Sequence, residues 1–223
     1  MDGLNALAEA RRHHRGKVND VLRRPGMYGG DEVAELLLFE AMAAVDGVLE
    51  RWTAERESLR ASGLCLPTGV RGAYGDILPA LGLRDAVASV YAQVAHRLGW
   101  LDLDRALSPT EFRRLRAEVE DWVRRDRTAT ELTETFGRPS VRIGGRNPFY
   151  PHTLVYATED GGADLICFHL WNSLADAEPG TGPRGVYPEP VVLAVRHRAG
   201  PFADAFSFTP EGTRRRPEVA TAT

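Results

Sequence analysis

His152-Thr153-Leu154-Val155-Tyr156-Ala157-Thr158 and Asp164-Leu165-Ile166-Cys167-Phe168-His169-Leu170-Trp171 flank Glu159-Asp160-Gly161-Gly162. Both runs are rich in β-branched and aromatic residues and alternate in character, which predicts strands. Asp-Gly between them is a strong hairpin signal, because a type I′ turn needs positive φ at both central residues. The expectation is an antiparallel hairpin with Asp160 and Gly161 at its tip. Counting back from that turn pairs Glu159 with Gly162 and sets His152 opposite His169. Cys167 then falls opposite Leu154, on the same face as both histidines.

Downstream, residues 172–190 read as a long loop with four prolines. Residues 191–197 and 202–208 read as a second hairpin around Arg198-Ala199-Gly200-Pro201. The tail from Thr213 is Arg-rich, then Ala/Thr-rich, and is expected to fray. Upstream of Gly137-Arg138-Pro139 the period is helical. Residues 3–23 form one helix or two short ones, with Leu4, Leu7, Val18 and Leu22 on one face, interrupted by Arg11, His14 and Arg15. Arg24-Pro25-Gly26 stops it. Asp31 caps a second helix running to about Arg60, with Leu37, Leu38, Ala41, Met42, Val45, Val48, Leu49 and Trp52 as its stripe. A third covers about 84–98, with His96 on its solvent side. Ser108-Pro109-Thr110-Glu111 is a capping box that opens a fourth.

The fold class expected is α+β, with an N-terminal helical half packed on a C-terminal antiparallel sheet of barrel- or sandwich-like form. Residues 1–136 are the helical region, with about four helices, residues 137–212 the β region and residues 213–223 a flexible tail.

The 223 residues are 43% apolar and 26% charged, with a formal net charge of −3. That composition excludes a disordered or collagen-like chain and suffices for a core. No run approaches the roughly 20 apolar residues that span a bilayer. The N-terminal stretch carries charges where an export signal carries its apolar run. Two cysteines, Cys65 and Cys167, fit reduced thiols better than a secreted scaffold, so a cytoplasmic location is expected. Cys65, between two leucines, reads as a small buried hydrophobe. The 28 basic residues include a single lysine, Lys17. With the abundant alanine, that bias suggests a GC-rich bacterial genome.

No Walker A loop, dinucleotide GxGxxG, GxSxG elbow, HExxH, CxxC pair or EF-hand loop occurs. Arg24-Pro25-Gly26-Met27-Tyr28-Gly29-Gly30, followed by a helix, resembles the RPGMYxG segment of the gyrase-B-type ATPases. In that family the segment precedes the helix that supplies a catalytic Glu and a magnesium-binding Asn. Glu40 falls near the place of the Glu. Ala43 and Ala44 stand where the Asn is needed, and the family's later DxGxG loop is missing. The resemblance covers seven residues and carries no ATPase activity with it. The plain alternative is a helix stop and turn, with Met27 and Tyr28 packing inward.

Three groups of residues are candidates for chemistry. His152, His169 and His197 on neighbouring strands are candidate ligands for zinc, iron or copper, with Cys167 and Tyr156 nearby. Glu159, Asp160, Glu189 and Asp204 are the nearest carboxylates. The competing reading is a cross-strand polar pair. Arg146 and Asn147, in the Gly-rich loop that ends at Tyr150 and Pro151, are candidates to hold a carboxylate or phosphate through backbone N–H groups and a guanidinium. Trp171 and Asn172 would border that ligand site, with residues 172–190 as a lid. The competing reading is an ordinary loop closing a sheet. Two basic clusters, residues 11–17 and 113–127, offer charge for nucleic acid. Acids interleave the second, and Glu120 and Arg124 suit an i,i+4 pair.

Three readings of function follow. The leading one is a partner- or ligand-binding protein without catalysis, of immunity or accessory type, taking a protein or a small molecule. The second is a metal-dependent enzyme at the histidines. The third is nucleic-acid binding through the N-terminal basic helix.

Overall fold

The computed structural model describes residues 2–64, 69–176 and 182–217. Helix α1 (Asp2–Arg23) runs unbroken through Gly16. Pro25 then opens a single turn, α2 (Pro25–Tyr28). Asp31 caps α3 (Glu32–Asp46) by accepting from the Ala34 N–H at 2.9 Å. The long helix expected over residues 31–60 is two helices. Gly47 sits in the left-handed region at φ 73° and ends α3, and α4 (Leu49–Ala61) begins two residues later. The short α5 (Gly69–Tyr74) and the buried α6 (Leu83–Arg97) follow. Helix α7 (Pro109–Trp122) opens on the predicted Ser108–Glu111 capping box. A second box, Thr128–Glu131, opens α8 (Ala129–Phe136), a helix the sequence reading passed over.

The sheet comprises β1 (Val141–Ile143), β2 (His152–Tyr156), β3 (Ile166–Trp171), β4 (Val191–Arg196) and β5 (Phe206–Phe208). It is antiparallel throughout, in the order β1-β2-β3-β4-β5. It is an open sheet, neither a barrel nor a sandwich of sheets. Helices cover both faces, so β2, β3 and β4 are buried at every position. One face carries Val141, Ile143, Val155 and Cys167 into a core shared with α1, α3 and α6. The other carries Leu154, Tyr156, Phe168 and Val195 against Phe112, Leu115, Trp122 and Leu132 of α7 and α8. The strands are apolar on both sides because both sides are covered. The short β1 was not foreseen. In the expected second hairpin, residues 202–204 form a 3₁₀ turn, and only β5 pairs with β4. Helix α9 (Pro210–Arg215) carries the chain past the point where the tail was expected to fray.

The tight Asp160-Gly161 turn is not formed. None of residues 160–162 has positive φ. Residues 157–165 instead make a wider connection, in which Gly162 N–H donates to Asp160 Oδ1 at 2.9 Å. This loop folds onto the end of α6. Gln93 Oε1 accepts from the Leu165 N–H at 2.6 Å, and Arg97 pairs with Asp164 at 2.6 Å. His96, expected in solvent, is buried under the loop, with Nε2 at 3.2 Å from the Asp160 carbonyl.

The arginines interrupting the apolar side of α1 reach acids on neighbouring elements. Arg11 pairs with Asp46 at 3.3 Å and Arg15 with Asp102 at 2.6 Å. In the second cluster Arg114 pairs with Glu118 and Arg124 with Asp121. Glu120, the expected partner of Arg124, pairs with Arg198 instead. Cys167 is a buried free thiol; Cys65 lies outside the described residues. No helix among the described residues is long and apolar enough to cross a membrane.

Candidate functional site

A cleft of about 470 Å³ opens between the α2–α3 turn, α5 and α6. Gly29 and Gly30, the end of the Arg24-Pro25-Gly26-Met27-Tyr28-Gly29-Gly30 segment, line one wall. Pro25 is buried under the turn and starts α2, so Met27 and Tyr28, expected inside, point outward and are 68% and 50% exposed. Gly29 then brings the chain tightly past α2. A Cβ there would lie 2.6 Å from the Pro25 carbonyl oxygen and 2.9 Å from Glu35 Oε1.

The first turn of α3 aims Glu32 and Glu35 toward α5 and α6. Glu32 is fully engaged. Its Oε1 accepts from the Val70 N–H at 2.8 Å and the Tyr91 hydroxyl at 2.7 Å, and its Oε2 from the Arg71 N–H at 3.2 Å. The carboxylate thus caps α5, and Gly69, at φ 75°, leaves the space it occupies. Glu35 differs. It is only 6% exposed, lines the cleft, and has no hydrogen-bond or ion-pair partner among the described residues. Burial, then the neighbouring Glu32, push its carboxyl up to about 7, against the pull of Arg84; Asp31 adds to the rise. Arg71 and Arg84 line the same cleft, and neither guanidinium has an acid partner within ion-pair distance among the described residues. Val87 is the one apolar side chain in the lining. Glu40, at the place of the ATPase family's Glu, is exposed and outside the cleft.

The structure separates the histidines. Thr153, not His152, pairs with His169, and His152 pairs with Leu170. Cys167 faces Val155, and Leu154 faces Phe168. The wider connection shifts the register by one residue, which moves side chains to the other face. His169 Nδ1 lies 3.0 Å from Thr153 Oγ1, while His197 Nε2 lies 3.0 Å from Ser207 Oγ. No group of three His, Cys, Asp or Glu residues among the described residues is arranged to hold a metal. His152 and His169 border a void with room for about one water. Both His152 ring nitrogens and His169 Nε2 lack a hydrogen bond there. The Tyr150 backbone approaches the His152 ring without hydrogen-bonding geometry. Burial holds His169 down to about 3, and His152 and His197 down to about 4.

The Gly-rich loop and its expected neighbours are not gathered into one pocket. Arg146, Asn147 and Tyr150 are exposed, and Asn147 Oδ1 accepts from the Phe149 N–H at 3.0 Å. Asn172 is buried, and its amide locks the loops. It donates to the Pro148 and Tyr187 carbonyls at 2.8 and 3.0 Å and accepts from the Ser173 and Tyr187 N–H groups. Arg215 of α9 stacks on Trp171 at 3.9 Å. The base of the expected lid is closed by a Leu174–Gly185 bridge; residues 177–181 of the lid lie outside the described residues.

Glu32, Glu35, Arg71 and Arg84 were not singled out in the sequence. The Asp31 cap places both acids on the first turn of a helix. Nothing local indicates that the partners of Glu32 lie 38 and 59 residues away. The chain matches no protein-family model, no curated protein and no solved structure.

Proposed function

We propose that this chain is a small-molecule-binding protein that holds its ligand in the α2–α3/α5/α6 cleft without transforming it. The observation that carries the reading is Glu35, a buried carboxyl with no partner facing an open cleft. Burying such a group unpaired costs free energy, and a ligand that satisfies it recovers that cost. The two arginines without acid partners add charge complementarity, and the volume lies in the usual range for ligand pockets. Among the described residues the lining holds no Ser, Cys, His or Lys. The setting in this reading is a reducing bacterial cytoplasm, supported by the arginine and alanine bias and the sparse cysteine.

The test is thermal unfolding of the full chain with a panel of small anions, cations and zwitterions. At least one class is expected to raise Tm in the parent and lose its effect in Arg84→Ala. NMR should recover the compound unchanged. A panel without effect, or conversion of a bound compound, would overturn the proposal.

A second reading is favoured by a separate observation. Val33 and Leu37, one turn apart on α3, are each 62% exposed, close in sequence to the exposed Met27 and Tyr28. A protein partner docking there would bind the parent and lose affinity in Leu37→Glu.

A further inference from the structure

We infer that the ligand of this cleft is a small zwitterion, with an ammonium group held by Glu35 and a carboxylate held between Arg71 and Arg84. The inference rests on the ligand-binding reading above and adds the chemical class.

Both oxygens of Glu32 are occupied by Val70, Arg71 and Tyr91. Asp31 Oδ1 is occupied by the Ala34 N–H. Among the described residues of the lining, the side-chain acceptors left unused are the Glu35 carboxyl and the second oxygen of Asp31, and the donors left unused are the Arg71 and Arg84 guanidinium groups. The charged groups facing Glu35 are Asp31 and Glu32 from α3 and Arg84 from α6, with Arg71 of α5 in the same lining. Two carboxylates against one arginine make the surroundings of Glu35 favour a cation, whether a proton or an ammonium. A cleft lined by two guanidinium groups calls for a carboxylate. Three acids, of which Glu35 and one oxygen of Asp31 are free, and two arginines around a single space match a molecule carrying both charges. Val87 is the one apolar side chain among the described lining residues, and the charged groups around it suit a compact polar ligand.

The probes are L-alanine, L-lysine and γ-aminobutyrate, each beside its carboxylate analogue without the amine and its amine analogue without the carboxylate. Titration calorimetry at pH 7, in buffers of different ionisation enthalpy, reads affinity and proton exchange together. At least one amino acid is expected to bind roughly tenfold tighter than both of its analogues. Ammonium binding displaces the proton on Glu35, so roughly half a proton per site is expected to be released. Glu35→Gln should lower affinity for the amino acid about tenfold and leave the carboxylate analogue bound as tightly as before or more tightly. Arg84→Ala should weaken the amino acid and the carboxylate analogue alike. Carboxylates binding as tightly as amino acids, with proton uptake, would overturn the zwitterion while leaving a ligand-binding cleft of anionic preference. Amines binding as tightly would overturn it in favour of a cation site. Failure of every probe, with both variants folded by thermal melt, would overturn the zwitterion. If the wider panel also fails, the binding reading falls with it.

Discussion

The Tyr91 hydroxyl donates to Glu32 Oε1 across 2.7 Å and so ties the middle of α6 to the first turn of α3. The same carboxylate takes both backbone donors at the start of α5. Three elements distant in sequence therefore converge on one side chain. Tyr91→Phe removes one bond to a charged acceptor and should cost about 1–2 kcal/mol in urea unfolding. Glu32→Ala leaves two backbone donors uncapped and should cost more, about 2–4 kcal/mol. In a double-mutant cycle the two losses should fall short of additivity, because they share the bond. Full additivity would show that the contact contributes nothing to stability.

Glu35 gives a stability signature of known sign. Its folded-state carboxyl titrates near 7, above its ordinary value of 4.5. The group is protonated in both states below about pH 4. The stability it contributes there is lost as pH rises through 7, because the unfolded chain ionises first. Glu35→Gln keeps the neutral form at every pH. It should raise stability by about 1–3 kcal/mol at pH 8 and change little at pH 4. Urea midpoints at both values check this; an equal shift at both would contradict it.

Three of the four buried histidines, His152, His169 and His197, act at the acid end. Burial is the main cause of lowering for all three, followed by Arg196 at His169, Arg142 at His152 and Arg198 at His197. They are neutral when folded. Below pH 6.5 the unfolded chain takes up protons that the folded chain refuses, and stability falls until the folded values of about 3 to 4 are reached. Each histidine contributes a slope of about 1.4 kcal/mol per pH unit in that window. Glu35 slopes the opposite way over part of it, so the comparison must be between variant and parent. His169→Asn should flatten the parent's acid slope by one such increment. Identical slopes would mean that His169 protonates while folded.

Two glycines should respond in opposite directions. Gly29 has an ordinary φ of −76°, so its need is space and not backbone freedom. A Cβ there meets the Pro25 carbonyl and the Glu35 carboxyl. Gly29→Ala should destabilise by about 1–3 kcal/mol and narrow the cleft, lowering affinity for whatever it binds. Gly16 lies in the middle of α1 with nothing within 4 Å of its would-be Cβ. Gly16→Ala should stabilise by about 0.5–1 kcal/mol through helix propensity. Thermal melts of both variants test the pair.

Features that close within a few residues were legible in the chain. Ser108 and Glu111 satisfy each other's backbone donors, and Asp31 satisfies Ala34, so these helix starts were legible. The change from helical to alternating period also placed the α+β boundary. Gly47 was legible in principle, but the apolar stripe runs on across it and hid the break between α3 and α4. The β2–β3 register was not legible. It hangs on a turn conformation, and the connection that replaces the tight turn is held by Gln93, His96 and Arg97 of α6. Packing therefore overruled a local preference, and the histidine pairing fell with it. The cleft is the clearest product of tertiary structure. Its acids sit one turn apart on α3, but Arg71 and Arg84 arrive on other helices. Glu35 is unusual because those helices bury most of it at the edge of the cleft without supplying a partner. A residue's type is written in the chain, whereas its desolvation depends on what folds over it.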